Sequence, residues 1–150
     1  MDKNQYPLTD FRFLVIIDDI AVAGFSEVSG LERNITTEDY KEGGNDFVYK
    51  FPKGISYNNL ILKKGLSDSD QLWKWYQSIS DAIVYQKPLK KLKKNITLVV
   101  LDEKKEKTEW TFVFKDAYPV KWTGPTFNAL GNSIVVETLE LVHQGFERSK

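Results

Sequence analysis

Residues 23 to 44, AGFSEVSGLERNITTEDYKEGG, constrain the architecture more than any other stretch of the chain. Small and apolar residues lead into Gly30, a polar strand follows, and the strand ends in an acidic, glycine-rich loop. Within Glu32 to Tyr40, Ile35, Thr37 and Asp39 share one side of an extended backbone, and Asn34, Thr36, Glu38 and Tyr40 share the other. Ile and Thr favour the extended state, yet neither side is apolar enough for an ordinary core. A strand of this kind suits a wall with water on one side.

The remainder reads as one domain, rich in strands and holding one long helix. Phe11 to Asp18 is an expected strand with Phe11, Phe13, Val15 and Ile17 on one face. Tyr57 to Lys64 is another, and Ser133 to Val142 the last. Ile96 to Asp102 and Glu109 to Lys115 form an expected hairpin around the charged turn EKKEK. For the helix, Ser67 with Asp70 three residues on resembles a capping box. Leu72, Tyr76, Ile79 and Ile83 recur at helical spacing, and Pro88 is the expected stop. From Asp68 to Tyr85 the helix would span roughly 27 Å at 1.5 Å per residue, enough to cover one side of a sheet. A chain of 150 residues fits one domain of mainly β class, with no repeat or interdomain linker in view.

Several of these strands are apolar on both faces. Ile96, Leu98 and Val100 alternate with Thr97, Val99 and Leu101. In the last strand Val135, Leu139 and Leu141 share a face with Glu137, while Ile134, Val136 and Val142 share the other with Thr138 and Glu140. Two packed layers within one domain account for this pattern, and so does burial of one face on oligomerisation. The polar strand in the same chain tilts the balance toward assembly, since exposed strand edges are a hazard in a monomer and ring closure pairs them.

The catalytic inventory is thin. With one histidine and no cysteine, a two-histidine metal site, a thiolate site and disulfides are excluded. His143 reads as a strand-boundary residue. Adjacent Asp18 and Asp19 face opposite ways if extended and fit a turn better than a shared proton. Glu38, Asp39 and Glu42 lack the spacing of a calcium loop, and Gly43-Gly44 lacks the context of a phosphate loop. The reading is a protein that is not an enzyme and needs no cofactor or metal.

The 21 basic and 21 acidic residues cancel, which disfavours a generally basic nucleic-acid binder. The run KPLKKLKK, Lys87 to Lys94, places five lysines in eight residues. It would neutralise phosphates or merely solvate a connection between helix and strand, and no arginine-aromatic platform accompanies it. Trp73, Trp75 and Tyr76 fan round the helix, so that some anchor it to the sheet and the surplus is available to a neighbouring subunit. The first residues have no signal-peptide core, and no run approaches a bilayer span. The expectation is a soluble protein made in the cytoplasm, without stable membrane insertion.

An ordered set of segments resembles the tail tube proteins of contractile phages and contractile injection systems. These are FRFLVIIDDIAVAGFSEVSGLE (11 to 32), EDYKEGG (38 to 44), YKFPKGISYNNLILKKGL (49 to 66), LWKWY (72 to 76) and residues 110 to 148, above all AYPVKWTGP and ETLELVHQG. FPKG stands where the family often has a Leu-Pro-Gly run, and lysine-rich sequence replaces an Arg-containing connection. The resemblance implies two packed antiparallel β-sheets flanked by a helix, similar to the tube subunit of type VI secretion. It implies homohexameric rings in which hairpins join a ring-wide β-barrel, stacked into a tube inside a sheath and driven through a target membrane. Its partners would be further copies of itself, the sheath protein, and baseplate or spike proteins, with cargo or DNA in the lumen. The particle would assemble in the cytoplasm and end in a phage tail or a released contractile particle.

On this resemblance Arg33, Asn34, Thr36 and Glu38 are expected to line the lumen or its wall. A loop from Lys41 to Ile55, with Lys41, Glu42, Gly43, Gly44, Asn45 and Asp46 at its head, would reach the next ring. Trp110 to Phe114 would be a second wall strand, and the helix bearing Trp73, Trp75 and Tyr76 would face outward to the sheath. Two alternatives stand beside the main reading: a tube-initiator or baseplate adaptor of the same fold, and a monomeric β-barrel that binds nucleic acid through its lysine run.

Overall fold

The computed structural model describes residues 12–22, 24–44, 46–131 and 135–149. In chain order the elements are β1 (Arg12–Ile17), β2 (Phe25–Ser29), β3 (Arg33–Lys41), β4 (Val48–Tyr57), β5 (Leu60–Gly65), α1 (Gln71–Val84), β6 (Lys94–Leu101), β7 (Lys107–Thr123), β8 (Val136–Val142) and β9 (Phe146–Ser149). All pairings are antiparallel. Seven strands form one sheet, a path β1-β6-β7-β8-β5-β2 with β9 added on β7, and among the described residues β3 pairs with β4 alone.

That path folds into two leaves because β7 serves both. Its residues from Lys107 to Ala117 pair with β6 and, at Thr111 to Phe114, with β9. Its end, Tyr118 to Thr123, pairs with β8 instead. Between the two, Asp116 takes φ 50 and its N–H is met by Asn95 Oδ1 at 3.1 Å. The pairing with β8 slips between Pro119 and Lys121. A proline inside a strand belongs at such an irregularity, since it brings no N–H to the ladder. Pro119 is fully buried there.

The core fills the space between the leaves. Val15, Ile17, Ile96, Leu98 and Phe114 from one meet Leu60, Leu62, Leu139 and Leu141 from the other, and α1 adds Leu72, Trp75 and Ile79. Each buried aliphatic or aromatic side chain contributes about 1.5–3 kcal/mol, which makes this the chief stabilising element.

The helix departs from expectation in its start, its stop and its face. Asp70, not Ser67, is the N-cap residue, and it makes no side-chain capping bond; Ser67 Oγ instead accepts from Lys64 Nζ at 2.9 Å. The helix stops at Val84, ahead of Pro88. Gln86 takes φ 53, and the N–H groups of Gln86 and Lys87 donate to Ile83 O and Ala82 O. This is a Schellman ending with glutamine in the left-handed position. The buried stripe is Leu72, Trp75, Ile79 and Ala82, whereas Ile83 is 67% exposed. Trp75 claims the inward place because it buries a large ring and its indole N–H finds Leu92 O at 2.8 Å.

One charged pair lies inside. The Lys64 and Glu137 side chains, 4% and 5% exposed, approach to 3.5 Å as register partners on β5 and β8. Lys64 also donates to Gly65 O at 3.0 Å, and Trp122 Nε1 donates to Glu137 Oε2 at 3.0 Å. The pair is well supplied with further partners, which a buried ion pair requires.

Removing Glu137 would strand the Lys64 ammonium in that interior. Glu137→Ala is expected to lower unfolding free energy by about 3–5 kcal/mol, while Lys64→Met with Glu137→Leu recovers most of the loss. Urea denaturation of the three proteins checks this, and equal losses in single and double variants would refute it.

Candidate assembly surface

The β3–β4 hairpin stands apart from the two leaves, and its root is fixed by close backbone contacts. Gly30 takes φ 89, and a Cβ built there would lie 2.0 Å from Asn59 O; glycine is required by conformation and by space together. Glu32 O accepts the Asn58 N–H at 3.4 Å, and the Asn58 amide donates to the Glu32 carboxylate. On the other strand the Tyr57 ring packs on Gly145, where a Cβ would meet it at 3.1 Å and where φ is 107. Tyr57 also stands edge-on to His143 at 5.6 Å and to Phe146 at 5.5 Å.

His143 completes the root. Its Nδ1 accepts the Gly145 N–H at 3.0 Å, which leaves Nε2 to donate to Asn58 O at 3.0 Å. The lone histidine is thus a backbone clamp between the β8–β9 turn and the hairpin. An open groove of about 700 Å³ lies beside it, lined among others by Gly30, Glu32, Tyr57, Asn59 and Glu140. Among the described residues no group of three or more His, Asp or Glu could hold a metal ion. No described helix is long and apolar enough to cross a membrane.

Beyond its root the hairpin has no cover among the described residues. Every residue of β3 is exposed, and in β4 every residue except Tyr57. Ile35, Phe51 and Ile55 are 67%, 52% and 52% exposed. The shaft is held by its own ladder, by Tyr40 edge-on to Phe51 at 6.1 Å, and by the Lys50–Asp39 ion pair at 2.9 Å. An exposed pair of that kind is worth well under ~1 kcal/mol, and an isolated two-stranded ribbon is marginal in water.

The register settles which residues share a face. Arg33 pairs with Tyr57, Ile35 with Ile55, Thr37 with Pro52 and Asp39 with Lys50; the Arg33 guanidinium lies 5.9 Å from the Tyr57 ring centre. The opposite face carries Asn34 with Ser56, Thr36 with Gly54, Glu38 with Phe51 and Tyr40 with Tyr49. The expected group of Arg33, Asn34, Thr36 and Glu38 therefore divides, with Arg33 on the other side from the remaining three.

The long loop from Lys41 to Ile55 is also corrected. Lys41 ends β3 and residues from Val48 onward are strand, so the connection is short. Glu42, Gly43, Gly44 and Asp46 lie in it, Gly44 at φ 92, and Asn45 falls outside the described residues. The sequence hid β4 behind Pro52 and Gly54. Lys53 is the extra residue where the register shifts between Thr36 and Thr37, and that bulge is what admits the proline. β9 was likewise not foreseen, being short.

Of the three helix aromatics, Trp75 is a core residue at 4% exposure and cannot face outward. Trp73 is 41% exposed and stands edge-on to Trp122 at 4.8 Å, with Tyr76 half-buried beside it. Trp110 to Phe114 run through the middle of a leaf: Phe114 is fully buried, Trp110 is 44% exposed, and the Arg148 guanidinium sits 3.9 Å from its ring centre. A second uncovered surface lies on that leaf, where Leu14 and Ile16, each 46% exposed, flank Val99 on the outer face.

Residues 9–147 match the family model for the T4-like virus tail tube protein gp19. The chain belongs to this tail tube family. Its relatives of known structure agree. A chain in the sheath–tube complex of the extracellular contractile injection system PVC, in its extended state, is 27% identical, with 97% of this chain and 95% of that one covered and a TM-score of 0.79. A chain of the anti-feeding prophage cap is 26% identical over 97% and 93%, with a TM-score of 0.80. Hcp1 from Flavobacterium johnsoniae shares the fold at 12% identity over 90% and 92%, with a TM-score of 0.58. No curated protein sequence matches the chain. The tail tube family is structural, and the protein is not an enzyme.

Gly30→Ala would force a Cβ into Asn59 O from a strained backbone. It is expected to cost about 1–3 kcal/mol from the backbone alone and to displace the hairpin root. Thermal unfolding together with nuclear magnetic resonance shifts at Asn58, Asn59 and His143 checks this; unchanged shifts at those three would refute the assignment of Gly30 as the pivot.

Proposed function

We propose that the protein is a subunit of the inner tube of a contractile injection system or phage tail. Copies close into hexameric rings, the β3–β4 hairpins join edge to edge in a continuous β-barrel round a lumen, and the rings stack inside a sheath. The observation that carries this reading is the uncovered hairpin. Nine register pairs are displayed with both faces in water and both outer edges unpaired among the described residues. A neighbour's hairpin supplies the missing hydrogen bonds, and ring closure leaves no end strand.

In this arrangement Asn34, Thr36 and Glu38 form the polar, lumen-facing side near the root, and Ile35 with Ile55 the side that packs on the subunit body or a neighbour. The tip, Lys41 to Asp46, reaches the adjacent ring. Sheath and baseplate or spike proteins are the expected partners, and cargo or DNA the occupant of the lumen. Assembly takes place in the cytoplasm before the particle is released. Similarity to both a sheath–tube complex and a cap fits a subunit repeated along the tube. Long tubes in purified protein would support that placement, and rings that never stack would point to an initiator or adaptor instead. Membership of a tube family speaks against a monomeric nucleic-acid module.

Negative-stain electron microscopy of the purified protein tests the reading, with rings or tubes expected and isolated particles of about 17 kDa at every concentration against it. Ile35→Asp with Ile55→Asp is expected to leave the melting temperature within about 2 °C, since neither side chain is in the core, while abolishing rings. Replacing Glu42 by Arg and deleting Gly43 and Gly44 is expected to leave rings but shorten the stacks; full-length tubes from that variant would remove the tip from the contact between rings.

A further inference from the structure

The far end of α1 carries a surface that neither the core nor the hairpin uses. Ile83, Val84 and Tyr85 are 67%, 68% and 68% exposed in succession, where a helix end ordinarily turns polar. The lysine run follows at once. The connection is not a loose loop: Leu89 and Leu92 pack against the core, Leu92 N–H donates to Leu89 O at 2.9 Å, and the Trp75 indole holds Leu92 O. With Leu89 and Leu92 turned inward, Lys90 and Lys91 between them stand exposed.

The charges on this platform are unbalanced. Among the described residues, Lys94 alone of the five lysines has a carboxylate within ion-pair distance, Asp19 at 3.9 Å. Lys87 lies 5.8 Å from the Tyr85 ring centre and Lys93 5.6 Å from that of Tyr118, both within cation–π range. Asp81, the acidic residue of the helix's last turn, is hydrogen-bonded by Gln77. A chain of formal net charge +0 thus concentrates positive charge beside an apolar triplet.

We propose that this surface docks an acidic, amphipathic segment of another protein, its apolar side chains on Ile83, Val84 and Tyr85 and its carboxylates on Lys87, Lys90 and Lys91. Charge alone would suit any polyanion; the adjoining apolar triplet selects a protein segment, because a phosphate backbone leaves those three side chains in water. Naming that partner as the surrounding sheath rests on the tube reading. The chemistry of the surface does not.

The probe is a fluorescent helix-forming peptide of Glu, Leu and Ala with its leucines on one side. Fluorescence anisotropy is expected to show saturable binding that weakens as salt rises from about 0.05 to about 0.5 M. Lys87→Glu with Lys90→Glu and Lys91→Glu should weaken binding about tenfold or more, as three exposed charge contacts are reversed. Val84→Ser with Tyr85→Ser should weaken it as well, with both variants melting like the parent. Equal binding of a scrambled peptide lacking an apolar side, or no binding, overturns the proposal. So does tighter binding of a single-stranded DNA oligonucleotide or of phosphatidylglycerol vesicles. Electron microscopy of the triple lysine variant separates this inference from the function proposed above. Normal rings place the surface away from contacts between copies, as expected, and loss of rings that the parent forms assigns it to a second copy and overturns the proposal. Absence of rings from the parent itself sinks the tube reading and the sheath assignment, and leaves peptide binding to be judged alone.

Discussion

A strand of 17 residues cannot remain flat inside a small domain, because its own twist carries its two ends to different orientations. In this protein that constraint is turned into architecture. β7 runs through one leaf, bends at Asp116, and continues in the other, so that both leaves share a covalent edge and face each other across Phe114, Leu98, Leu62 and Leu139. The helix adds Leu72, Trp75 and Ile79 to that core, and Lys64, paired with Glu137 on the neighbouring strand, also holds Ser67 in the loop that leads into α1. Everything on the surface is positioned by this bend, including the turn at Gly145 on which the hairpin root rests.

The hairpin depends on the body in a different way. Its root is gripped by groups that tolerate little change: Gly30 against Asn59, Tyr57 against Gly145, His143 bridging Asn58 and the β8–β9 turn. Among the described residues its shaft makes no such contacts. Fixed at its root and uncovered along its shaft, it is oriented by the subunit and, in the function proposed above, completed by a partner outside it. The tail tube family, and the likeness to chains in a sheath–tube complex and a cap, give that outside partner its most economical identity, further copies of the same chain.

Much of this was legible in the sequence where the signal was local. The polar alternation of Glu32 to Tyr40 marked an exposed strand, and the helical spacing after Asp70 marked α1. The helix face was misjudged because Leu72, Tyr76 and Ile83 fit one stripe as well as Leu72, Trp75 and Ala82 fit another, and the acceptor that draws Trp75 inward, Leu92 O, lies 17 residues away. β4 was hidden because Pro52 and Gly54 signal a loop, and a bulge that makes room for them depends on the partner strand. Arg33 was grouped with Asn34 by polarity, although neighbouring residues on a strand point opposite ways. Glu137 shares a face with Val135, Leu139 and Leu141, but nothing local pairs it with Lys64, which lies far off in the sequence. The bend at Asp116 left no signature at all, since a non-glycine residue in the left-handed region is settled by tertiary contacts.

An uncovered hairpin on a firm root also bears on how a polymer of such subunits would start. Two free subunits that meet gain one ladder and still leave two edges in water, so early complexes are weak and short-lived. A subunit that arrives at a finished ring finds a surface already ordered and repeated. Growth on a template is then favoured over spontaneous nucleation. The same exposed strand that makes a single chain look incomplete would then delay assembly in a dilute pool of such chains, and hasten it at high concentration or once there is something to build on.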